Sequence, residues 1–482
     1  MSGDTLGLLL TVIGIAAYIV VNTLVLVFVP RGRRPQTALA WLLAIYFVPV
    51  IGIVLFVIAG SHRLPRARRL KQTEVSRIIR ESTEGDDRVL KDATWPSWLE
   101  SITRLNRALG SMPLVGGNSA TLYADDAEAL TAMIEAVRAA RSTVHAEFYI
   151  LSLDATSEPF FAALEEAHAR GVTVRVLLDH LGSRRYPGYR GAIRRLTAAG
   201  VQWYLMLPFQ PLRGKLQRPD LRNHRKILVV DGQVGFTGSQ NVIEEAYQHR
   251  RGLRWKDFMA RFEGPVVAGI DALFITDWYC ETDELLGAEV AVPPERAPGD
   301  LACQVVPSGP GFEGENNLRM LNSLVYAAQR RVVISSPYLV PDDSMLYALT
   351  TAAQRGVDVE LFVSEIGDQF WASHAQHSYY EDLLRAGVRV QLYEPPVILH
   401  AKHLTVDGEV AVIGSSNLDM RSFTLDLEIS VLVRGRSFLD ELARIEDAYR
   451  ARCRELSLDE WILRPRGHQA WDAIARLTAA VQ

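Results

Sequence analysis

No charged residue stands between Asp4 and Arg31, and the run from Leu6 to Val29 is long enough to cross a bilayer as a helix. Pro30-Arg31-Gly-Arg33-Arg34-Pro35 ends it. A second uncharged run, Pro35 to Ser61, is also long enough to span, with a kink expected at Pro49. Together they predict a transmembrane hairpin over residues 1–62. A cleaved signal peptide fits less well, because no Lys or Arg precedes the first run, its apolar stretch is too long, and a second span follows at once. Three arginines (Arg31, Arg33, Arg34) lie between the runs, and seven basic residues (Arg63, Arg66, Arg68, Arg69, Lys71, Arg77, Arg80) follow the second. The bulk of the chain is therefore expected in the cytoplasm. Residues 63–114 read as a basic juxtamembrane linker, either lying against an anionic leaflet or serving only as a stop-transfer flank.

From Val115 the pattern turns to alternating helices and strands, and it runs twice. A helical stretch Ala127 to Ala140 leads into an apolar strand Val144 to Ile150, then a helix ending at Arg170-Gly171-Val172 and a strand Val174 to Asp179. Downstream, a helical stretch Leu318 to Arg330 leads into Val332 to Leu339, then a helix ending at Arg355-Gly356-Val357 and a strand Val359 to Val363. Ala199-Gly200-Val201 is matched by Ala386-Gly387-Val388. The separations (170 to 355, 200 to 387, 224 to 400) are 185, 187 and 176 residues, which indicates a duplicated α/β domain rather than a short solenoid repeat. Such alternation implies a mostly parallel, two-sided sheet. Ile227 to Phe236 and Leu404 to Ile413 instead set Asp-Gly between apolar runs, as tight hairpins do, so mixed sheets are expected. The halves are assigned to 115–298 and 299–482, divided at the Pro-rich Val292 to Gly299. The last segment, Trp461 to Gln482, is expected to pack on the body.

Composition adds two exclusions. The net charge of −4 provides no broad basic field, which argues against a nucleic-acid partner. Three widely separated cysteines make neither a disulfide framework nor a C-x-x-C metal site.

The chemistry-bearing stretch is His224-Arg-Lys226-x4-Asp231 followed by Gly238-Ser239-Gln-Asn241, and it recurs as His400-Ala-Lys402-x4-Asp407 with Gly414-Ser415-Ser-Asn417 at the same internal spacing. In a strand, residues two apart share a face, so each histidine projects with its lysine. Lysine is not an ordinary metal ligand, and its charge suits an anion instead. A phosphodiester offers oxygens for lysine to neutralise and a phosphorus that a neutral imidazole can attack. Ser239, Asn241, Ser415 and Asn417 are candidate donors to those oxygens. With two sets, one histidine attacks phosphorus while the other protonates the leaving alkoxide and later deprotonates the incoming alcohol, with no metal and no cofactor required. Asp231 and Asp407 serve either chemistry or the Asp-Gly turn. Asp257 and Glu428 are candidate acceptors that orient the histidines. His145, His374 and His377 have no counterpart and read as structural.

The doubled His-x-Lys-x4-Asp with Gly-Ser-x-Asn resembles the phospholipase D superfamily. The hairpin with Arg33-Arg34-Pro35 and Ala40-Trp41, together with Glu147-Phe-Tyr149-Ile150, Ser336-Pro337-Tyr338-Leu-Val-Pro341-Asp342 and Asn417-Leu-Asp419-Met-Arg421-Ser422-Phe423, is more similar to its bacterial cardiolipin synthase branch. Two positions depart from that pattern: Gly238-Ser239 where Gly-Gly is usual, and Leu425 to Glu428 where Asn commonly precedes the last two residues. Neither removes a catalytic group. The resemblance implies an active site between the halves of an inner-membrane enzyme that moves a phosphatidyl group from one phosphatidylglycerol to another, with His224 as nucleophile and His400 as acid and base. A membrane-anchored phosphodiester hydrolase of the same superfamily is the alternative. Anionic membrane lipid would be the partner, entering past Trp203 to Leu212 and the basic Arg213, Lys215, Arg218 and Arg222, unless that stretch is a core strand with a basic loop.

Overall fold

The computed structural model describes residues 3–33, 35–60, 64–83, 95–210, 215–216, 218–247, 252–287, 299–312 and 314–477. The expected domain boundary at 292–298 and the basic residues Arg34, Arg63 and Arg213 lie outside them. Two compact units form, Met1–Arg63 and Leu64–Gln482.

In the first unit a helix of 26 residues runs Gly3–Phe28. Its stretch Thr11–Phe28 is the one candidate membrane span among the described residues. The second apolar run is divided at Val48, giving helices Pro35–Phe47 and Pro49–Ala59 of 13 and 11 residues. Pro49 supplies no N–H and its ring crowds the preceding turn, so the helix restarts with proline at its first position. At 1.5 Å per residue these reach about 20 and 17 Å, each short of the roughly 30 Å hydrocarbon core.

The second unit is built on one 16-stranded sheet. The first half supplies β1 (Leu114–Tyr123), β2 (Thr143–Phe148), β3 (Thr173–Asp179), β4 (Gln202–Met206), β5 (Lys226–Val230), β6 (Val234–Gly238) and β7 (Met259–Glu263). The second half supplies β8 (Leu301–Ser308), β9 (Arg331–Ser335), β10 (Asp358–Ser364), β11 (Arg389–Tyr393), β12 (His403–Val406), β13 (Val410–Gly414) and β14 (Asp426–Arg434), with β15 (Cys453–Leu456) at one edge. The order is β15-β11-β10-β9-β12-β13-β14-β8-β1-β7-β6-β5-β2-β3-β4, and the sixteenth strand, Arg222–Asn223, pairs with β14 off this path. Outward from the antiparallel β8–β1 joint, both halves therefore present their strands in the same order.

Within the large sheet each half contributes two parallel ladders among the described residues, β2–β3 and β3–β4 from the first and β9–β10 and β10–β11 from the second. The sheet is therefore mixed, as the Asp-Gly hairpins predict. The Asp-Gly pairs are the reason: Asp231 and Gly232 have φ of 52° and 61°, Asp407 and Gly408 55° and 66°. Left-handed backbone at both central residues is the hairpin turn that returns the chain antiparallel. Both faces of the sheet are covered. Ile227 and Val229 of β5 join the core under helix Val266–Thr282, whereas Leu228 and Val230 join the one under helix Glu158–Ala169.

The segment expected as a linker carries helices Arg66–Ser82 and Ser97–Gly110, and Leu99 and Ile102 of the second enter the core beside Leu321. At the C-terminal end, helices Leu458–Ile462 and Arg466–Leu477 pack through Trp461 and Ala475.

Candidate active site

Two short strands carry the motifs toward each other. Arg222–Asn223 pairs with Asp426 and Leu427 at the start of β14, and the His224 N–H donates to the Leu427 carbonyl at 2.9 Å. In the other half Val397–Leu399 pairs with Arg254–Lys256, and the His400 N–H donates to the Lys256 carbonyl at 2.8 Å. Glu428 follows Leu427 and Asp257 follows Lys256, so each histidine is delivered to an acid of the opposite half. His224 Nδ1 lies 3.0 and 3.2 Å from the Glu428 oxygens, and His400 Nδ1 lies 2.6 Å from Asp257 Oδ1. Both histidines line one cleft of about 840 Å³.

The hydrogen bonds fix the tautomers. His224 Nδ1 is also 3.1 Å from the Ser415 carbonyl, which can only accept, so this nitrogen carries the proton and Nε2 keeps its lone pair. Burial alone would raise the Asp257 carboxyl, but His400, Lys402 and Ser239 outweigh it and hold it at about 2. An ionised Asp257 gives His400 the same tautomer. Burial, with the charge of Lys402 next, lowers His400 to about 4, and burial with Lys226 and Lys402 holds His224 well below the usual imidazole range. The two acids differ: burial pushes Glu428 up to about 7, against the pull of Lys226 and Ser415.

Lys226 and Lys402 lie beneath the histidines, fully buried, each donating to the carbonyl of its own motif histidine at 2.6 and 2.7 Å. Burial lowers them to about 8 and about 7. Asn241 and Asn417 line the cleft as well. The Asn241 Oδ1 accepts from the Ile150 N–H, and the Asn417 N–H donates to Ser422 Oγ.

The two serines face elsewhere. Expected as donors to a ligand, they are fully buried and brace the acids: Ser239 Oγ donates to Asp257 Oδ1 at 2.6 Å, and Ser415 Oγ donates to Glu428 Oε2. Each also accepts the N–H of the residue after its acid, Phe258 or Ile429. The glycine before each serine permits this approach, since a Cβ on Gly238 or Gly414 would stand 2.2 Å from the carbonyl of Phe258 or Ile429. Asp231 and Asp407 lie at the far ends of β5 and β12. Asp231 accepts the N–H groups of Arg141, Ser142 and Thr143, and Asp407 those of Gln329, Arg330 and Arg331. Their place is the turn.

The residues 133–274 and 321–448 match the family model described as cardiolipin synthase, phospholipase D-like domain. The chain belongs to this family. One family repeat spans each half and includes one of the two histidines. A second model, the phospholipase D-nuclease N-terminal segment, matches residues 19–61. The chain is 34% identical over 448 residues to cardiolipin synthase A of Proteus mirabilis, covering 90% of each, and 32% identical over 467 residues to that of Serratia proteamaculans, covering 91% of each. The crystal structure of a phosphatidylserine synthase from Haemophilus influenzae shares the fold, with a TM-score of 0.60 and 16% identity over 79% of this chain and 99% of that one.

Other residues come to the cardiolipin synthase-type cleft without a role in the spacing argument. The ring of Tyr149 stands edge-on to His224, with centroids 5.0 Å apart, and lies 5.4 Å from Lys226 Nζ. Its sequence signals are its place where an apolar strand ends and the Glu147-Phe-Tyr149-Ile150 stretch that carries part of the family resemblance. Of the basic residues proposed to guide a headgroup, Arg222 is buried and pairs with Asp179 at 3.0 Å. His145 is held by Asp271 and stacked on Phe274, as a structural histidine. His374, His377 and Asp472 bring three ligand-type atoms within 4.8 Å of one another, but Arg464 shares the Asp472 carboxylate at 2.7 Å and opposes a cation there.

Proposed function

We propose that the chain is a cardiolipin synthase that transfers a phosphatidyl group from one phosphatidylglycerol to a hydroxyl of another, through a phosphohistidine. The observation that carries this is the crossed pairing: two imidazoles from opposite halves share one cleft, each with Nδ1–H held by an acid and Nε2 free. His224 Nε2 attacks phosphorus, the bond to the glycerol oxygen breaks, and His400 supplies a proton to that oxygen. Burial and the charges of Lys402 and Lys226 keep His400 neutral, so a phosphodiester anion beside it raises its proton affinity. The hydroxyl of a second phosphatidylglycerol then loses its proton to His400 and attacks the phosphohistidine, which frees His224 and leaves cardiolipin. The buried ammonium groups stabilise charge on the phosphoryl oxygens, and the amides of Asn241 and Asn417 orient them.

An inner-membrane location suits this chemistry. The finer topology, two spans with the catalytic unit in the cytoplasm, rests on the excess of basic residues after Ser61. Mass spectrometry of the products formed from phosphatidylglycerol in mixed micelles tests the reaction. Cardiolipin and glycerol in equal amounts are expected; phosphatidic acid as the main product would reassign the site to hydrolysis.

A further inference from the structure

Helix Arg66–Ser82 turns Arg68, Gln72 and Val75 inward, at positions i, i+4 and i+7. A stop-transfer flank would keep its charges in water or among headgroups, but Arg68 is 5% exposed. Its guanidinium donates to Asp277 Oδ1 at 3.3 Å and to Glu281 Oε1, both on helix Val266–Thr282. The other Asp277 oxygen accepts from Arg225, the residue between His224 and Lys226. Asp277 and Arg225 are 0% and 1% exposed. Arg225 Nε in turn donates to the Glu428 carbonyl at 3.1 Å, and its N–H is 3.3 Å from Asn223 Oδ1. Arg225 thus clamps the backbone on both sides of the His224–Glu428 pair.

We propose that Arg68 is a positioning residue for His224, acting through Asp277 and Arg225, so that the helix following the membrane segment in sequence completes the active site. Asp277 is shared by two guanidiniums in an interior where an unmatched charge is costly. Without Arg68, Arg225 is left as the one cation on that carboxylate among the described residues and is drawn toward it, away from the Glu428 carbonyl. A displacement of His224 by a fraction of an ångström from its line of attack lowers turnover while leaving the lipid-binding surface intact.

The inference rests on the two-histidine reading, and its test uses the full chain in detergent. Arg68→Gln is expected to lower kcat about tenfold or more with KM unchanged. Arg68→Lys keeps the charge but lacks the planar fork that reaches both acids, so it should restore part of the loss. Lys71→Met is the control. Lys71 ties the same two helices through the Tyr279 carbonyl and Asp283, both at 2.6 Å, without touching Asp277, and its loss should leave kcat as it is. A second readout does not depend on the lipid substrate: with 15N-histidine labelling, the His224 Nδ1–H signal should move in Arg68→Gln and stay in Lys71→Met. If Arg68→Gln fails to fold, Arg68→Lys carries both readouts. Unchanged kcat and an unmoved His224 signal in the Arg68 variants would overturn the proposal, as would equal effects from Lys71→Met. A wild-type chain that makes no cardiolipin would count against the proposed function alone, because the imidazole signal still decides the role of Arg68.

Discussion

Replacing Asp257 by Asn tests the division of labour between the two histidines. Asp257 has an ordinary pKa of 3.8 that its partners pull to about 2, a preference for the ionised form on the order of 2–3 kcal/mol. Both Asp257 and His400 are buried, with side chains 7% exposed, so solvent screens little of this. Asparagine keeps the shape but loses the charge that supports a protonated His400. The charge alone accounts for about 10²-fold in kcat, and an amide that turns its NH2 toward Nδ1 would invert the tautomer and extend the loss to about 10⁴-fold. A phosphodiester with a nitrophenolate leaving group separates the steps, since that leaving group needs no proton from His400. Rapid-quench kinetics of Asp257→Asn should therefore retain the nitrophenolate burst and lose steady turnover, whereas Glu428→Gln should slow the burst itself. Turnover within about threefold of wild type in both variants would refute the crossed pairing, and the opposite pattern of bursts would exchange the two roles.

Three further outcomes are expected. The pH profile of kcat/KM should rise through about 7 as Glu428 ionises and fall as Lys402 and Lys226 deprotonate near 7 and 8; Glu428→Gln should remove the acid limb. A lysine pKa depressed in the folded state marks a protonated form that folding disfavours, so Lys402→Met should abolish turnover yet raise the melting temperature, as calorimetry would show. Asp407→Ala removes the acceptor of three backbone N–H groups and should lower stability by about 1–2 kcal/mol while kcat stays within about threefold of wild type, as calorimetry and product assay would show.

The chain displays some of this design locally and hides the rest. The duplication, the hairpins at Asp231-Gly232 and Asp407-Gly408, and the histidine-lysine sets are legible because spacing and turn chemistry are properties of neighbouring residues. The pairing of His224 with Glu428 and of His400 with Asp257 is set by strand neighbours about 200 and 140 residues apart, which periodicity does not encode; the acids could be named but not their crossed order. Ser239 and Ser415 read as ligand donors because the glycines before them could bring the backbone close to a phosphodiester, whereas the close approach at Gly238 and Gly414 is to the strand that carries the acids. Arg225 lies between two motif residues and Arg68 within a basic run, so neither stands out until the buried carboxylate of Asp277 joins them. In the second apolar run, Pro49 marks the break that the structure shows, but composition alone does not distinguish a kinked span from two short helices.

The most direct test of covalent transfer through paired histidines is to quench the full chain during turnover of phosphatidylglycerol, with His400→Ala alongside, and to map the acid-labile adduct by tandem mass spectrometry. A phosphatidyl group on the peptide containing His224, accumulating in His400→Ala and absent from His224→Ala, is the expected result. Undiminished cardiolipin formation with no adduct on either histidine would contradict the two-histidine mechanism.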